Sequence, residues 1–94
     1  MAEKKALRVR IEGRVQGVNY RMATYHEAHK LGVTGWVMNN PDSSVEAWFE
    51  GDADRVDKLV EWCWKGPPIA SVSHITVSEE AYTARYNDFS VRYA

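Results

Sequence analysis

Two stretches of the chain alternate hydrophobic with polar residues, which is the period of a strand that buries one face. The inward positions are Leu7, Val9 and Ile11 in the first stretch and Val45, Ala47 and Phe49 in the second. The residues between the second set, Glu46, Trp48 and Glu50, are then expected to face outward. Residues 33–39, 72–77 and 89–93 are further strand candidates, and the Asn40-Pro41-Asp42-Ser43 cluster predicts a turn before the second stretch.

Two other stretches place hydrophobic residues every three or four positions, as on one face of a helix. The first stripe consists of Val18, Met22, Tyr25, Ala28 and Leu31, and Gly32 ends it. The second stripe consists of Val56, Leu59, Val60 and Cys63, and the Gly66-Pro67-Pro68 run ends it. Asp52 or Asp54 is suited to cap the beginning of the second helix.

The predicted order is strand, helix, strand, strand, helix, strand and a short terminal strand. Each helix has a single apolar stripe, which needs a sheet to cover it. We therefore predict an α+β sandwich in which two helices lie on one face of an antiparallel sheet. No linker or repeat interrupts the pattern, so the prediction is a single domain over residues 1–94.

Charge and cysteine usage narrow the function. Twelve Lys plus Arg against thirteen Asp plus Glu give a net charge of -1, so no positive excess exists to hold a polyanion. The single cysteine excludes an intrachain disulfide, and the chain has no signal-peptide core and no long apolar run. We interpret the protein as cytoplasmic, with no nucleic-acid or membrane partner and no need for more than a monomer.

The loop between the first strand and the first helix carries the strongest candidate chemistry. It reads Gly13-Arg14-Val15-Gln16-Gly17-Val18-Asn19-Tyr20-Arg21. Glycines let successive N–H groups point inward, and a helix N-terminus adds unpaired donors and partial positive charge, which together make an anion cradle. The planar fork of Arg21 can hold two phosphate oxygens. On loop physics alone, a tight turn with a solvated arginine is the alternative.

This loop and the downstream run Leu31-Gly32-Val33-Thr34-Gly35-Trp36-Val37-Met38-Asn39 resemble the two signature blocks of the acylphosphatases. The resemblance continues to Phe89-Ser90-Val91-Arg92-Tyr93 and covers essentially the whole chain. It implies a ferredoxin-like βαββαβ sandwich with strand order 4-1-3-2. It also implies hydrolysis of acyl phosphates to a carboxylate and inorganic phosphate, with no cofactor.

The resemblance further implies roles for individual residues. The phosphoryl group is expected to be held by the side chain of Arg21 and by the backbone of Val15, Gln16, Gly17, Val18, Asn19 and Tyr20. Asn39 is expected to position the attacking water. Two residues depart from the family pattern: Tyr20 stands where phenylalanine is common, which bears on packing beneath the loop, and Ser43 stands where glycine is usual, which bears on the turn.

Other residues suggest alternatives. His26 and His29 are three apart, whereas the zincin pattern places its histidines four apart, so we expect no metal site. Cys63 lies on an apolar stripe, where a buried structural thiol is expected. Trp48 on an open sheet face is a possible stacking platform, so an RNA-binding module is one rival function, although its strand carries two acids and no basic residue. A small-anion-binding module without activity is the other rival.

Overall fold

The computed structural model describes residues 3–93, which form two helices and five strands. The elements in chain order are β1 (Lys4–Arg14), α1 (Tyr20–Leu31), β2 (Thr34–Asn39), β3 (Val45–Asp52), α2 (Ala53–Lys65), β4 (Ser71–Glu80) and β5 (Phe89–Arg92). This is the predicted order of elements. No helix in the described range is long and apolar enough to cross a bilayer.

The five strands form one sheet in the order β4-β1-β3-β2-β5. The first four strands are antiparallel neighbours, which confirms the predicted order 4-1-3-2. The short C-terminal strand β5 adds a fifth strand to this antiparallel sheet by pairing parallel to β2, a direction that the sequence does not predict. The reason is directional: β4 and β2 run in opposite directions, so a chain that turns back after β4 and reaches the free edge of β2 must run parallel to it.

The core lies between the sheet and the two helices. All six predicted inward positions of β1 and β3 are buried, and α2 buries Val56, Leu59 and Cys63 as its stripe predicts. Asp52 precedes α2, but its carboxylate accepts a hydrogen bond from Lys4 Nζ at 2.6 Å and makes no cap bond. The predicted side-chain cap is therefore wrong at this position.

Helix α1 follows its predicted stripe in part, because every residue of the stripe except Met22 is buried or packs against the core. Its buried residues are Tyr20, Thr24 and Ala28, whereas the side chain of Met22 is 42% exposed. Successive helical residues turn by about 100°, so Met22 lies on the side opposite Tyr20. The hydrophobic pattern does not predict that Thr24 is buried, because threonine is polar. Burial is possible because the Thr24 hydroxyl donates a hydrogen bond to the Tyr20 carbonyl at 2.8 Å.

Segment 81–88 crosses the sheet face opposite the helices and buries a residue that the alternating pattern predicts to be exposed. Glu50, expected to face outward into solvent, is completely buried. Its carboxylate accepts hydrogen bonds from the Thr83 N–H at 2.9 Å and the Thr83 hydroxyl at 2.6 Å. Desolvation raises the pKa of Glu50, but these hydrogen bonds favour the charged form and the net pKa is lowered. The buried carboxylate thus anchors the segment to the sheet.

Strand β1 continues beyond the predicted strand end at Gly13. The register against β4 shifts between Glu12 and Gly13, which marks a bulge. Gly13 has φ of +126°, and a Cβ atom there would lie 2.3 Å from the Ser71 carbonyl oxygen. The close approach of the two strands requires a glycine at this point, and the loop before α1 consists of residues 15–19 only.

Candidate active site

The loop of residues 15–19 has the backbone geometry of an anion cradle. Gly17 and Asn19 have φ of +74° and +67°, while their neighbours keep negative φ values. Alternation of this kind turns successive N–H groups toward one centre. Across the described chain, no protein acceptor takes a hydrogen bond from the N–H groups of residues 16–19.

The N-terminus of α1 adds to this cradle. Asn19 precedes the helix and makes no side-chain cap bond, and no acidic residue lies in the first turn. The first N–H groups of a helix have no partner within the helix, and they carry partial positive charge. The cradle therefore presents uncompensated donors to an anion.

Three side chains hold the loop in place, two by packing in the core and one by hydrogen bonds to a neighbouring turn. Val15 and Val18 are 1% and 3% exposed and anchor it in the core. The Gln16 amide donates to the Asn40 and Ser44 carbonyl oxygens, both at 2.8 Å. Gln16 thus ties the loop to the turn between β2 and β3, which begins directly after Asn39.

The sheet brings Asn39 to the cradle. Val45 at the start of β3 pairs with Ile11 of β1 on one side and with Asn39 of β2 on the other. The ends of β1 and β2 therefore meet at one edge of the sheet, although they are 25 residues apart in the chain, counted from Arg14 to Asn39. The Asn39 Oδ1 atom is buried and accepts no hydrogen bond from any described residue.

A cavity of about 150 Å³ collects these groups. The residues that line it are Val15, Gly17, Asn19, Tyr20, Arg21, Met22 and Asn39. Arg21 is the only charged residue among them. Gln16 and Val18 belong to the loop but do not line the cavity, whereas Met22 lines it and was not anticipated.

The Arg21 guanidinium lies over the Tyr93 ring, with its carbon 4.9 Å from the ring centroid. Within residues 3–93, no carboxylate forms an ion pair with Arg21. A cation on an aromatic face keeps its N–H groups available in the guanidinium plane. Arg21 is held in place while its hydrogen-bonding fork stays available to an anion.

The alternative candidate residues lie elsewhere. His29 Nε2 is 3.3 Å from the Asp88 carboxylate, and no cluster of three or more metal-ligating side chains occurs in the range that the structure describes. Cys63 is completely buried, and burial raises the pKa of its thiol to about 12. A thiol with such a pKa stays protonated at neutral pH and is a poor nucleophile.

The sheet face proposed as a stacking platform is partly covered. Trp48 is half-buried there, and its ring centroid lies 6.5 Å from that of Tyr86 in segment 81–88. The Trp36 indole donates a hydrogen bond to the Tyr86 hydroxyl at 3.2 Å, and this bond holds segment 81–88 against the sheet face that carries Trp36 and Trp48. On this strand, Glu46 pairs with Arg8, and Glu50 anchors Thr83. Trp36, Trp48 and Glu50 therefore pack or hold segment 81–88 against the sheet.

Comparison with known proteins decides the family. A family model described as Acylphosphatase matches residues 7–91. The chain belongs to the acylphosphatase family. A curated acylphosphatase of Rubrobacter xylanophilus is 50% identical over 90 residues, covering 96% of this chain and 82% of the relative. That of Pelotomaculum thermopropionicum is 47% identical over 83 residues, covering 88% of this chain and 90% of the relative. The crystal structure of acylphosphatase from Bacillus subtilis superposes with a TM-score of 0.91 at 35% identity, covering 95% of this chain and 99% of the other.

The family membership confirms the resemblance inferred from the two signature blocks, and the Bacillus subtilis acylphosphatase confirms the fold. The first departure from the family pattern, Tyr20, acquires a structural role. Its ring is buried at the base of the cradle, and its hydroxyl donates to the Cys63 carbonyl at 2.6 Å. Carbonyls in the last turn of a helix lack intrahelical partners, so the hydroxyl satisfies one of them in α2. Burial raises the pKa of the Tyr20 phenol well above its usual range.

We expect Tyr20→Phe to lower the free energy of unfolding by about 1–2 kcal/mol, because it leaves a buried carbonyl without its donor. Urea unfolding followed by tryptophan fluorescence measures this change. Tyr25→Phe is the matched control, since Tyr25 lies on the same helix and its hydroxyl makes no hydrogen bond to the described residues. Equal stability of Tyr20→Phe and the parent would contradict the proposed tether.

The second departure lies in the turn between β2 and β3. Ser43 has φ of +78°, in the left-handed region that favours glycine. Its N–H donates to the Asn40 carbonyl at 3.2 Å, which closes the turn despite the strain. Ser43 does not line the cradle cavity. This departure therefore affects the turn and leaves the residues of the candidate site in place.

Proposed function

We propose that the chain hydrolyses the carboxyl–phosphate bond of acyl phosphates, with Arg21 and the loop of residues 15–20 as the phosphoryl site and Asn39 as the residue that positions water. Membership of the acylphosphatase family confirms the predicted activity at the level of the family. The observation that carries the residue roles is the cavity in which unpaired backbone donors, Arg21 and Asn39 meet.

The phosphoryl group lies in the cradle. Its oxygens accept hydrogen bonds from the loop N–H groups and from the first turn of α1, which complement negative charge. Arg21 binds two of the oxygens through its planar fork. These contacts strengthen as charge builds on the phosphoryl oxygens, so they stabilise the transition state as well as the bound substrate.

Water attacks phosphorus in line with the departing carboxylate. Asn39 Oδ1 is a buried acceptor with no donor among residues 3–93, and such atoms are commonly satisfied by water. The amide therefore accepts a hydrogen bond from the nucleophilic water and aims its lone pair at phosphorus. It orients the water without removing its proton.

The reaction needs no strong general acid or base. The P–O bond to the acyl group breaks, and its electron pair leaves on a carboxylate, which is a weak base. The proton lost by the attacking water passes to an oxygen of the phosphoryl group, and the products are a carboxylate and inorganic phosphate. Positioning and charge stabilisation supply the rate acceleration, as a loose transition state requires.

We also propose that the protein acts as a cytoplasmic monomer on small-molecule substrates, without metal, nucleic acid or cofactor, and that residues 1–94 work as one domain. The buried Cys63 supports a mechanism without a nucleophilic thiol.

Release of inorganic phosphate from acetyl phosphate tests the function. We expect turnover far above the spontaneous rate, unchanged by a chelator and competitively inhibited by inorganic phosphate. Binding of phosphate without turnover would instead favour the non-catalytic anion-binding module. Loss of turnover with a chelator, restored by a divalent cation, would overturn the metal-free mechanism.

A further inference from the structure

A groove of about 750 Å³ opens beside the cradle, between α1 and the C-terminal end of α2. Its apolar surface comes from Trp62, Pro67 and Pro68, and Lys65 lies among its lining residues. Asn19 lines both the groove and the cradle cavity, whereas Asn39 lines the cradle alone. The groove therefore meets the phosphoryl site at the helix N-terminus, away from the residue that positions water.

The walls of the groove are fixed before any ligand arrives. The Tyr20 and Trp62 rings pack with centroids 5.9 Å apart, and the Tyr20 hydroxyl ties α1 to the last turn of α2. Gly66 follows α2 at φ of +63°, and a Cβ atom there would lie 2.8 Å from the Tyr20 ring. The absence of a side chain at Gly66 therefore lets the end of α2 approach the Tyr20 ring, which places the Pro67-Pro68 wall beside the first turn of α1.

The groove also carries a positive charge, which comes from Lys65. Lys65 is exposed at the end of α2 and forms no ion pair with the residues that the structure describes. No Asp or Glu is among the lining residues. An anionic group that enters this groove thus meets a lysine and no opposing carboxylate.

The in-line geometry of phosphoryl transfer indicates which part of the substrate occupies the groove. In-line attack requires the leaving carboxylate to lie on the side of phosphorus opposite the water. With the water at Asn39, the acyl group extends from the cradle away from that residue, and the groove is the adjoining concave surface that Asn39 does not line.

We infer that the groove is the acyl subsite and that Lys65 favours acyl groups carrying a second anionic group beyond a flat or apolar stem. This inference rests on the proposed acyl phosphate hydrolysis. Trp62 and Pro67 contact the stem, and Lys65 pairs with the distal anion. Because a rim lysine attracts the substrate before and during the reaction, its effect is on KM more than on kcat.

Two substrates of nearly equal shape test the inference: 4-carboxybenzoyl phosphate and its neutral amide, 4-carbamoylbenzoyl phosphate. The para position keeps the carboxylate from attacking its own acyl carbon. We expect kcat/KM for the carboxylate to exceed that for the amide by about fivefold, as for an exposed ion pair. Added salt should reduce this ratio by screening the lysine.

In Lys65→Met, the ratio of the two kcat/KM values should fall to about one, since the favourable charge is gone. Lys58→Met is the matched control, because Lys58 is an exposed lysine on the same helix outside the groove, and this variant should keep the parent's ratio. A parent ratio of one, or an unchanged ratio in Lys65→Met, would overturn the inference. Failure of the parent to hydrolyse either substrate would instead refute the proposed function.

Discussion

Arg21→Gln is expected to reduce kcat/KM for acetyl phosphate by about a thousandfold or more, the scale seen when an arginine that stabilises phosphoryl-transfer charge is removed. Glutamine keeps a polar side chain but loses both the charge and the fork that binds two oxygens. Among the described residues that line the cavity, Arg21 alone is charged, so no other cation of the lining replaces it. Steady-state phosphate release measures the loss.

The same substitution should also weaken competitive inhibition by inorganic phosphate, because Arg21 contacts the phosphoryl group both before and during the reaction. Arg21→Lys should restore little activity, since a point charge lacks the geometry of the fork. Arg14→Gln is the matched control: Arg14 is exposed at the end of β1 and does not line the cavity. Near-parental turnover and phosphate inhibition in Arg21→Gln would refute the assignment.

Local patterns predict those parts of the fold that depend on local packing. Alternation in β1 and β3 and the stripe on α2 follow from one buried face for each element, and the structure buries those positions. Alternation predicts an outward-facing Glu50, but its burial depends on segment 81–88, which begins 31 residues later. A charged residue at an alternating position indicates solvent unless a distant donor covers it, and no local period reports such a donor.

The parallel pairing of β5 is a similar case. The sequence of residues 89–93 predicts a strand but does not say which edge of the sheet it joins. That choice depends on the direction in which β4 ends and on the length of the connection across the sheet face. Both are properties of the assembled sheet, so the pairing partner of β5 can be predicted only when the sheet topology is known.

The candidate site was more predictable than its surroundings. Glycine spacing and a following helix indicate a cradle through backbone geometry, which is local. The contact between Arg21 and Tyr93 joins residues 72 positions apart. Met22 lines the cavity because α1 turns Tyr20 and Thr24 into the core, an orientation that residue types alone did not indicate. Long-range contacts thus complete a site whose centre is encoded locally.

Substitution of Asn39 should lower the rate of hydrolysis without weakening phosphate binding. We expect Asn39→Ala to lower kcat by about 10²–10³-fold, the loss associated with one positioned polar group in a transition state. Inhibition by inorganic phosphate should change little, because the cradle and Arg21 hold the phosphoryl group without the amide. Phosphate release and inhibition constants measured on the same preparations give both quantities.

Asn39→Asp sharpens the test because it keeps the shape of the side chain and adds a negative charge beside an anionic phosphoryl group. It should be no more active than Asn39→Ala, whereas a carboxylate acting as a needed general base would raise activity above that of alanine. Asn87→Ala, at an exposed asparagine in segment 81–88, should behave as the parent. Circular dichroism checks that each variant is folded, since Asn39 also ends β2. Parental kcat in folded Asn39→Ala would show that the buried Oδ1 atom belongs to the turn and that water is positioned by another group.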